Sequence, residues 1–481
     1  MVSRVMIAGT GSGCGKTTIT CALIAAFSSL GKTVVSFKCG PDYIDPMFHK
    51  KAAGIESRNL DVFLMGEEGL KTCLTRHSAD REIAVLEGVM GLYDGLGSDS
   101  YASSNHISLL TNTPVILIVN AKGVSLSLCA MIKGFMEFEK NNIRGVILNN
   151  ISESMFRFYK QMIEERLKIK VIGFMPHIPE AKIESRHLGL ITADEIADIK
   201  EKIKNLGDCA LKNIDLIALM DIAGQTEPLE FSQRHGAVEP SVHESAERIL
   251  NNNPATLRKE TSISPYPQNK IGVKLYIASD EAFYFWYEDN HDLFRASGAE
   301  IKYFSPRRDR NLPDDADGLV LWGGYPELYA KELEANIDMR SSLKSAIDGG
   351  LPVYAECGGF IYLQQSLADF QGISHEMLGV LPGGARMTNK LQNFGYYTIE
   401  AQRDNLLCKA GGKINAHFFH HSVCDSEGDC FSVAKQDGKS FSCIISERNI
   451  FAGYQHLHFW GNPVFAENFI KACALYKREK K

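Results

Sequence analysis

Short runs of consecutive apolar residues punctuate the first part of the chain, at 5–8, 34–37, 83–86, 115–119 and 146–148. Each has the length of a strand, and longer segments with helical spacing lie between them. This alternation, which continues to about residue 192, predicts a parallel sheet with crossover helices. A charged stretch at 194–212 then gives way, at 224–269, to Gln, Glu, Ser, Pro and the three consecutive Asn of 251–253. That composition predicts a linker, with one helix at 242–250. A second alternation opens with Lys270-Ile-Gly-Val-Lys-Leu-Tyr-Ile-Ala278, continues through 318–321 and 352–355, and closes near Phe459. The expected organisation is a domain over 1–195, a charged helix and linker region over 196–269, and a second α/β domain over 270–481. No internal repeat or low-complexity tract interrupts it, and the Lys-Arg-Glu-Lys-Lys end reads as a solvated tail.

Composition agrees with a chain of this organisation. At roughly 150 residues per domain, 481 residues suggest two or three domains. Hydrophobic residues make up 44%, charged residues 23%, and the mean hydropathy is -0.13, values of ordinary globular proteins. Lys and Arg number 52 against 58 Asp and Glu, so a net charge of -6 offers no surface of the kind that binds duplex phosphates. Nucleic acid is not an expected partner. The twelve Cys never form a Cys-x-x-Cys pair, which argues against zinc knuckles and redox pairs and for reduced thiols in a cytoplasmic protein. The first residues meet glycines and Lys16 before an apolar signal core forms, and no stretch is apolar for the length of a membrane span.

The first apolar run leads into Gly9-Thr-Gly-Ser-Gly-Cys-Gly-Lys-Thr-Thr18 and then a helical stretch at 19–29. Strand, glycine loop and helix together are the context of a phosphate-binding loop. Backbone amides of Gly11, Ser12, Gly13, Cys14, Gly15 and Thr18 are placed to converge on phosphate oxygens, Lys16 to neutralise the β and γ oxygens, and the Thr17 hydroxyl to hold Mg²⁺. The spacing is one residue longer than a strict P-loop: five residues separate Gly9 from Gly15, and Thr10 stands where the first glycine belongs. Carboxylates at neighbouring strand ends complete such a site. Glu87, directly after the third run, is the first candidate for metal. Asp42 and Asp45, in Lys38-Cys-Gly-Pro-Asp-Tyr-Ile-Asp45, can bind metal, orient a substrate carboxylate or cap a turn.

In the second half, the run 352–355 leads into Glu356-Cys357-Gly-Gly-Phe-Ile-Tyr-Leu363, the pattern of a nucleophile elbow with Cys in place of Ser. Glycines permit the sharp turn, and the helix N-terminus behind it favours a thiolate. Amides at Gly358 and at Gly324, within Gly323-Gly-Tyr-Pro-Glu327, are candidates for an oxyanion hole. His456 and His458, in Gly453-Tyr-Gln-His-Leu-His-Phe459, fall on one side of an extended segment at a spacing that lets one orient the other.

A phosphate loop in one half and a Cys–His centre in the other resemble the glutamine-dependent cobyrinic acid a,c-diamide synthase family. Along nearly the whole chain, Gly9–Thr18, Lys38–Asp45, Ser57-Arg-Asn-Leu-Asp61, Glu87-Gly-Val-Met-Gly-Leu-Tyr-Asp-Gly95 and Arg186-His-Leu-Gly-Leu190 are similar to its synthetase signatures, while Gly323–Glu327, Glu356-Cys-Gly-Gly359 and His456-Leu-His458 are similar to its class I glutaminase signatures. The longer glycine spacing is similar to that of dethiobiotin synthetase, a relative of the first domain. The resemblance implies an α/β fold: a P-loop NTPase-like parallel-sheet domain followed by a class I glutaminase-like domain. It implies that Cys357 attacks glutamine through a thioester, with His456 as base and His458 in the orienting position many class I glutaminases fill with Glu, the reverse assignment of the two histidines staying open. It implies ATP as co-substrate and Mg²⁺ as cofactor, served by Lys16, Thr17 and Glu87, with Asp42, Tyr43 and Asp45 facing the metal or the macrocycle and Asn149 reading adenine. The implied partners are small molecules: glutamine, ATP and a corrinoid or related tetrapyrrole carboxylate, with a homodimer as one arrangement. Two stretches depart from the family pattern: Val119-Asn120-Ala-Lys-Gly123 lacks the common Asp, and His417-Phe-Phe-His420 replaces His-Glu-Phe-His. Two other readings stay open, the same chemistry on nickel sirohydrochlorin and a P-loop regulatory or partitioning ATPase with a non-catalytic second domain.

Overall fold

The computed structural model describes residues 2–178, 185–186, 189–190, 196, 198–229, 272–434 and 440–480. These fall into two compact units, one ending at residue 229 without residues 63–65, the other beginning at residue 272 and including them. The helix expected at 242–250 and most of the expected linker lie outside the described residues.

The first unit is built on seven strands: β1 (Ser3–Gly9), β2 (Val34–Cys39), β3 (Arg58–Leu60), β4 (Ile83–Glu87), β5 (Val115–Asn120), β6 (Ile143–Asn149) and β7 (Lys170–Met175). Their order across the sheet is β3-β2-β4-β1-β5-β6-β7, every neighbouring pair parallel. Crossover helices cover both faces of such a sheet, which is why its strands read as unbroken apolar runs; Val5, Met6, Ile7 and Ala8 are all fully buried. Helix α1 (Lys16–Ser29) lays Ile19, Leu23 and Phe27 on the sheet. Residues 199–223, half of them in the charged stretch, form two helices, Ile199–Asn213 and Leu216–Ala223, whose Leu206, Ala210, Leu219 and Ile222 enter the same core. Their charges face outward in pairs such as Lys204–Asp208. The short strands β8 (Ser185–Arg186) and β9 (Gly189–Leu190) pair antiparallel; His187, from the same signature, lies outside the described residues.

The second unit holds two sheets. The first has the order β11-β10-β12-β13-β21-β20, with β10 (Val273–Ala278), β11 (Ala299–Phe304), β12 (Gly318–Leu321), β13 (Val353–Glu356), β20 (Ile445–Glu447) and β21 (Ile450–Gly453); only β20 and β21 run antiparallel. The second is mixed, in the order β15-β14-β16-β17-β22, from β14 (Ser366–Ala368), β15 (Ser374–Glu376), β16 (Gly384–Ala401), β17 (Lys413–Cys424) and β22 (Gln455–Leu457). Strand β18 (Phe431–Ala434) pairs with β16, and β19 (Ser440–Cys443) with β18. Among the described residues, no helix is long and apolar enough to cross a membrane.

Candidate active sites

In open parallel sheets, ligands bind beyond the carboxyl ends of the strands. The ends of β1, β2 and β4 meet in the first unit, and the parallel register places Lys38 directly beside Glu87 and Ile7 on the other side of it. After β1 the chain turns through Gly13 (φ 72°) and Gly15 (φ 100°), left-handed conformations that glycine adopts without strain. A Cβ on Gly15 would stand 2.0 Å from Nδ2 of Asn149, and that nitrogen donates to the Cys14 carbonyl at 2.9 Å. Asn149, expected to read adenine, therefore braces the loop through its amide nitrogen. Ser12 and Gly13 are exposed at the loop tip, with Gly11 partly so. Thr18 is half-buried one residue into α1 after Thr17.

Beneath the loop lies a buried polar cluster. Thr17 Oγ1 donates to Glu87 Oε1 at 2.7 Å, and Lys38 Nζ reaches the same oxygen at 2.9 Å and the Asp45 carboxylate beside it. The other oxygen, Glu87 Oε2, lies 2.6 Å from Nε2 of His49, whose Nδ1 is 3.2 Å from Ser57 Oγ. Ser57 in turn donates to the Ser36 carbonyl. Burial pushes the Glu87 carboxyl up, but Lys38 and His49 outweigh it and hold the group below the usual carboxylate range. At Asp45, burial together with Asp42 and Glu87 raises the carboxyl well above its ordinary value. Lys38 keeps its charge although burial opposes it, because Asp45 and Glu87 flank it. Asp42 sits in the turn before helix α2 (Asp45–Ala53), where its Oδ1 accepts the amides of Ile44 at 2.7 Å and Asp45 at 3.1 Å. Tyr43 is half-buried in that turn. Of the three acids expected at this edge, Glu87 and Asp45 thus meet across Lys38, and one Asp42 oxygen caps a turn. Lys16 Nζ is bound by the carbonyls of Gly11 at 2.9 Å and Met90 at 2.5 Å, atoms a phosphate oxygen is able to replace. The donors gathered here are hard oxygens, from Thr17, Glu87, Asp45 and Asp42, a set suited to Mg²⁺.

In the second unit Cys357 joins β13 to the helix Gly358–Leu363 with φ 44° and ψ −102°. Such backbone costs about 1–3 kcal/mol in a non-glycine residue and persists only where surrounding structure imposes it. Here the Cys357 amide donates to the Gly453 carbonyl at 2.8 Å, and Gly359 packs so closely on β12 that a Cβ would stand 2.0 Å from the Leu321 carbonyl oxygen. The two glycines expected to form an oxyanion hole come together: a Cβ on Gly358 would lie 2.9 Å from the Gly324 nitrogen. Gly324 itself leaves no room for a side chain, because a Cβ would stand 2.0 Å from the Ala282 carbonyl oxygen.

His456, on β22, closes the site. A Cβ on Gly323 would lie 2.8 Å from its Cε1. Burial pulls the imidazole down, but hydrogen bonding to Cys357 and Glu356 and their charges overcome it, and its pKa is pushed up to about 10. Its strand neighbour His417 is pushed down to about 3, by burial first and by the His456 charge second, and His420 to about 4. Cys357 and Glu356 thus favour the charged form of His456, while burial favours the neutral form of His417 and His420. Nδ1 of His456 is 3.4 Å from Oε2 of Glu356, whereas β22 ends at Leu457, and His458 faces Asp289 at 3.9 Å and the ring of Tyr287 at 4.9 Å. Lys38, His49 and Glu356, given no role from sequence, stand among the central groups of the two sites.

Residues 5–191 match a family described as the CobQ/CobB/MinD/ParA nucleotide binding domain, and residues 274–464 one described as a CobB/CobQ-like glutamine amidotransferase domain. A cobyrinate a,c-diamide synthase of Clostridium tetani is 39% identical over 475 residues, covering 98% of this chain and 100% of that one. The proteins of the same name from Clostridium acetobutylicum and Thermoplasma volcanium are 37% and 34% identical, covering 97% and 100% of this chain and 99% of each relative.

Proposed function

The chain belongs to the cobyrinate a,c-diamide synthase family, as a glutamine-dependent amide-forming ligase with a nucleotide-binding domain, and we propose that it amidates the a and c acetate carboxylates of cobyrinic acid. The observation that carries this reading is the presence in one chain of two different machineries, the strained Cys357 beside His456 and the phosphate loop beside Glu87.

At the first centre Cys357 sulfur attacks the side-chain carbonyl carbon of glutamine. The Gly324 and Gly358 amides receive the negative oxygen, and His456, which takes the thiol proton as the sulfur attacks, gives that proton to the departing nitrogen, which leaves as ammonia. Water then hydrolyses the γ-glutamyl thioester to glutamate and restores the thiol. At the second centre an acetate oxygen attacks the γ-phosphorus of ATP, forming an acyl phosphate and ADP. Ammonia attacks the acyl carbon, and phosphate leaves with the oxygen that the acetate supplied. Lys16 gives up its two carbonyl partners for phosphate oxygens. Thr17 and Glu87, with Asp45 and Asp42 near them, would hold Mg²⁺, which supplies charge neutralisation on the phosphates when bound. Asn149 keeps the loop in shape.

Mass spectrometry after separate incubations of cobyrinic acid and nickel sirohydrochlorin with ATP, Mg²⁺ and glutamine tests the reading. Each amidation replaces a hydroxyl by an amino group. Double amidation of cobyrinic acid is expected; double amidation of nickel sirohydrochlorin alone would keep the chemistry and move the substrate.

A further inference from the structure

Glu356 precedes the nucleophile in the chain, and in a regular strand the two side chains would point to opposite faces. The left-handed turn at Cys357 breaks that alternation, so that both residues address one imidazole. The Glu356 carboxylate is almost completely buried and held at one oxygen: Oε1 accepts from the Tyr354 hydroxyl and from the Leu457 amide, the latter at 2.9 Å. Tyr354 is itself fixed, stacked on Phe451 with ring centroids 5.6 Å apart and edge-on to Trp322. The clamp leaves Oε2 3.4 Å from Nδ1 of His456, an ion-pair separation that has to shorten and align to become a hydrogen bond, as such contacts do when charge develops on the ring.

We infer that Glu356 is the positioning acid of the glutaminase centre: it holds Nδ1–H of His456 so that Nε2 serves the Cys357 thiol, the part first assigned to His458. The inference rests on the proposed glutaminase role of Cys357 and His456. An acid there fixes the tautomer, sets the ring plane and stabilises the imidazolium that carries the thiol proton until ammonia departs. Supplied from the residue before the nucleophile, it needs no third residue from the histidine segment.

The test uses the full chain with ATP, Mg²⁺ and cobyrinic acid, reading glutamate release and amide formation. Glu356→Gln keeps an oxygen for Tyr354 and Leu457 but presents an N–H where Nδ1–H needs an acceptor. It is expected to lower the glutamine-dependent kcat by about 100-fold or more, with KM for glutamine within about threefold and ammonia-supported amidation unchanged. Glu356→Asp, which retains the charge, is expected to recover part of the loss. Glutamate release by E356Q within about threefold of wild type overturns the assignment. Equal losses with glutamine and with ammonia overturn it too, because they reveal a residue needed only for folding. Wild-type protein that releases no glutamate would instead defeat the glutaminase reading on which the inference rests.

Discussion

Cys357→Ala is expected to abolish glutamine-supported amidation, by about 10,000-fold or more, and to leave ammonia-supported amidation close to the wild-type rate. The asymmetry follows from the chemistry. Removing the sulfur removes the group proposed to form the thioester, whereas ammonia added from solution enters after that step. The substitution is also structurally mild. Alanine is smaller than cysteine and takes up the same left-handed backbone, and the Cys357 amide bond to Gly453 does not involve the side chain. Comparison of amide formation with glutamine and with ammonium chloride checks it. Residual glutamine-supported turnover near the wild-type rate would remove Cys357 from the mechanism.

Glu87→Gln is expected to reduce amidation on the order of 1,000-fold with either nitrogen source, because ATP-dependent activation of the carboxylate is common to both. Glu87 is fully buried and serves three partners at once, Thr17, Lys38 and His49. Glutamine keeps the shape but loses the charge. Lys38 is then left with Asp45, and Thr17 with a neutral oxygen that is a weaker ligand for a divalent cation. Loss of a buried charge partner also destabilises by about 3–5 kcal/mol, so the thermal midpoint of E87Q should fall. Glutamate release at Cys357 separates the two effects: a folded variant still forms the thioester while ADP production is lost. Wild-type ADP formation in E87Q would end the assignment of Glu87 to ATP and Mg²⁺.

Which parts of the molecule could be read from sequence has a physical pattern. Strands β1, β2, β4, β5 and β6 announced themselves because crossover helices bury both of their faces, and a buried strand has no polar positions to disguise it. The edge strands β3 and β11 did not. Strand β3 has three residues, Arg58, Asn59 and Leu60, and β11 exposes Glu300, Lys302 and Tyr303, so neither carries an apolar run. The mixed sheet of β14 to β19 and β22 was also missed. Its longest strand, β16, keeps few buried positions, interleaving Lys390, Gln392 and Asn393 with aromatic residues. Helix Ile199–Asn213 hid its core face among lysines, because four apolar positions at helical spacing suffice to bury one side.

The sites divide in the same way. Residues whose chemistry depends on local backbone, the glycine loop with Lys16 and Thr17 and the elbow at Cys357, were legible from spacing alone. Residues that act through a neighbour were not. His49 reaches Glu87 from a helix 38 positions earlier in the chain, with no motif connecting them. Lys38 was in view within its motif, but only the β2–β4 register puts its ammonium between Asp45 and Glu87. The spacing of His456 and His458 suggests mutual orientation; it gives no sign of Glu356, 3.4 Å from His456, or of Asp289, 3.9 Å from His458. Alternation along a strand predicts which side chains share a face, not what the rest of the fold brings against that face.

The proposed reaction carries nitrogen from glutamine to carboxylates of a tetrapyrrole that ATP has activated. Incubation of the purified protein with cobyrinic acid, ATP, Mg²⁺ and glutamine labelled with ¹⁵N in its side-chain amide tests this most directly, with the product read by mass spectrometry and ADP counted in parallel. A diamide containing two ¹⁵N atoms is expected, with two ADP formed for each diamide. ATP hydrolysed with no label transferred to the macrocycle would contradict it.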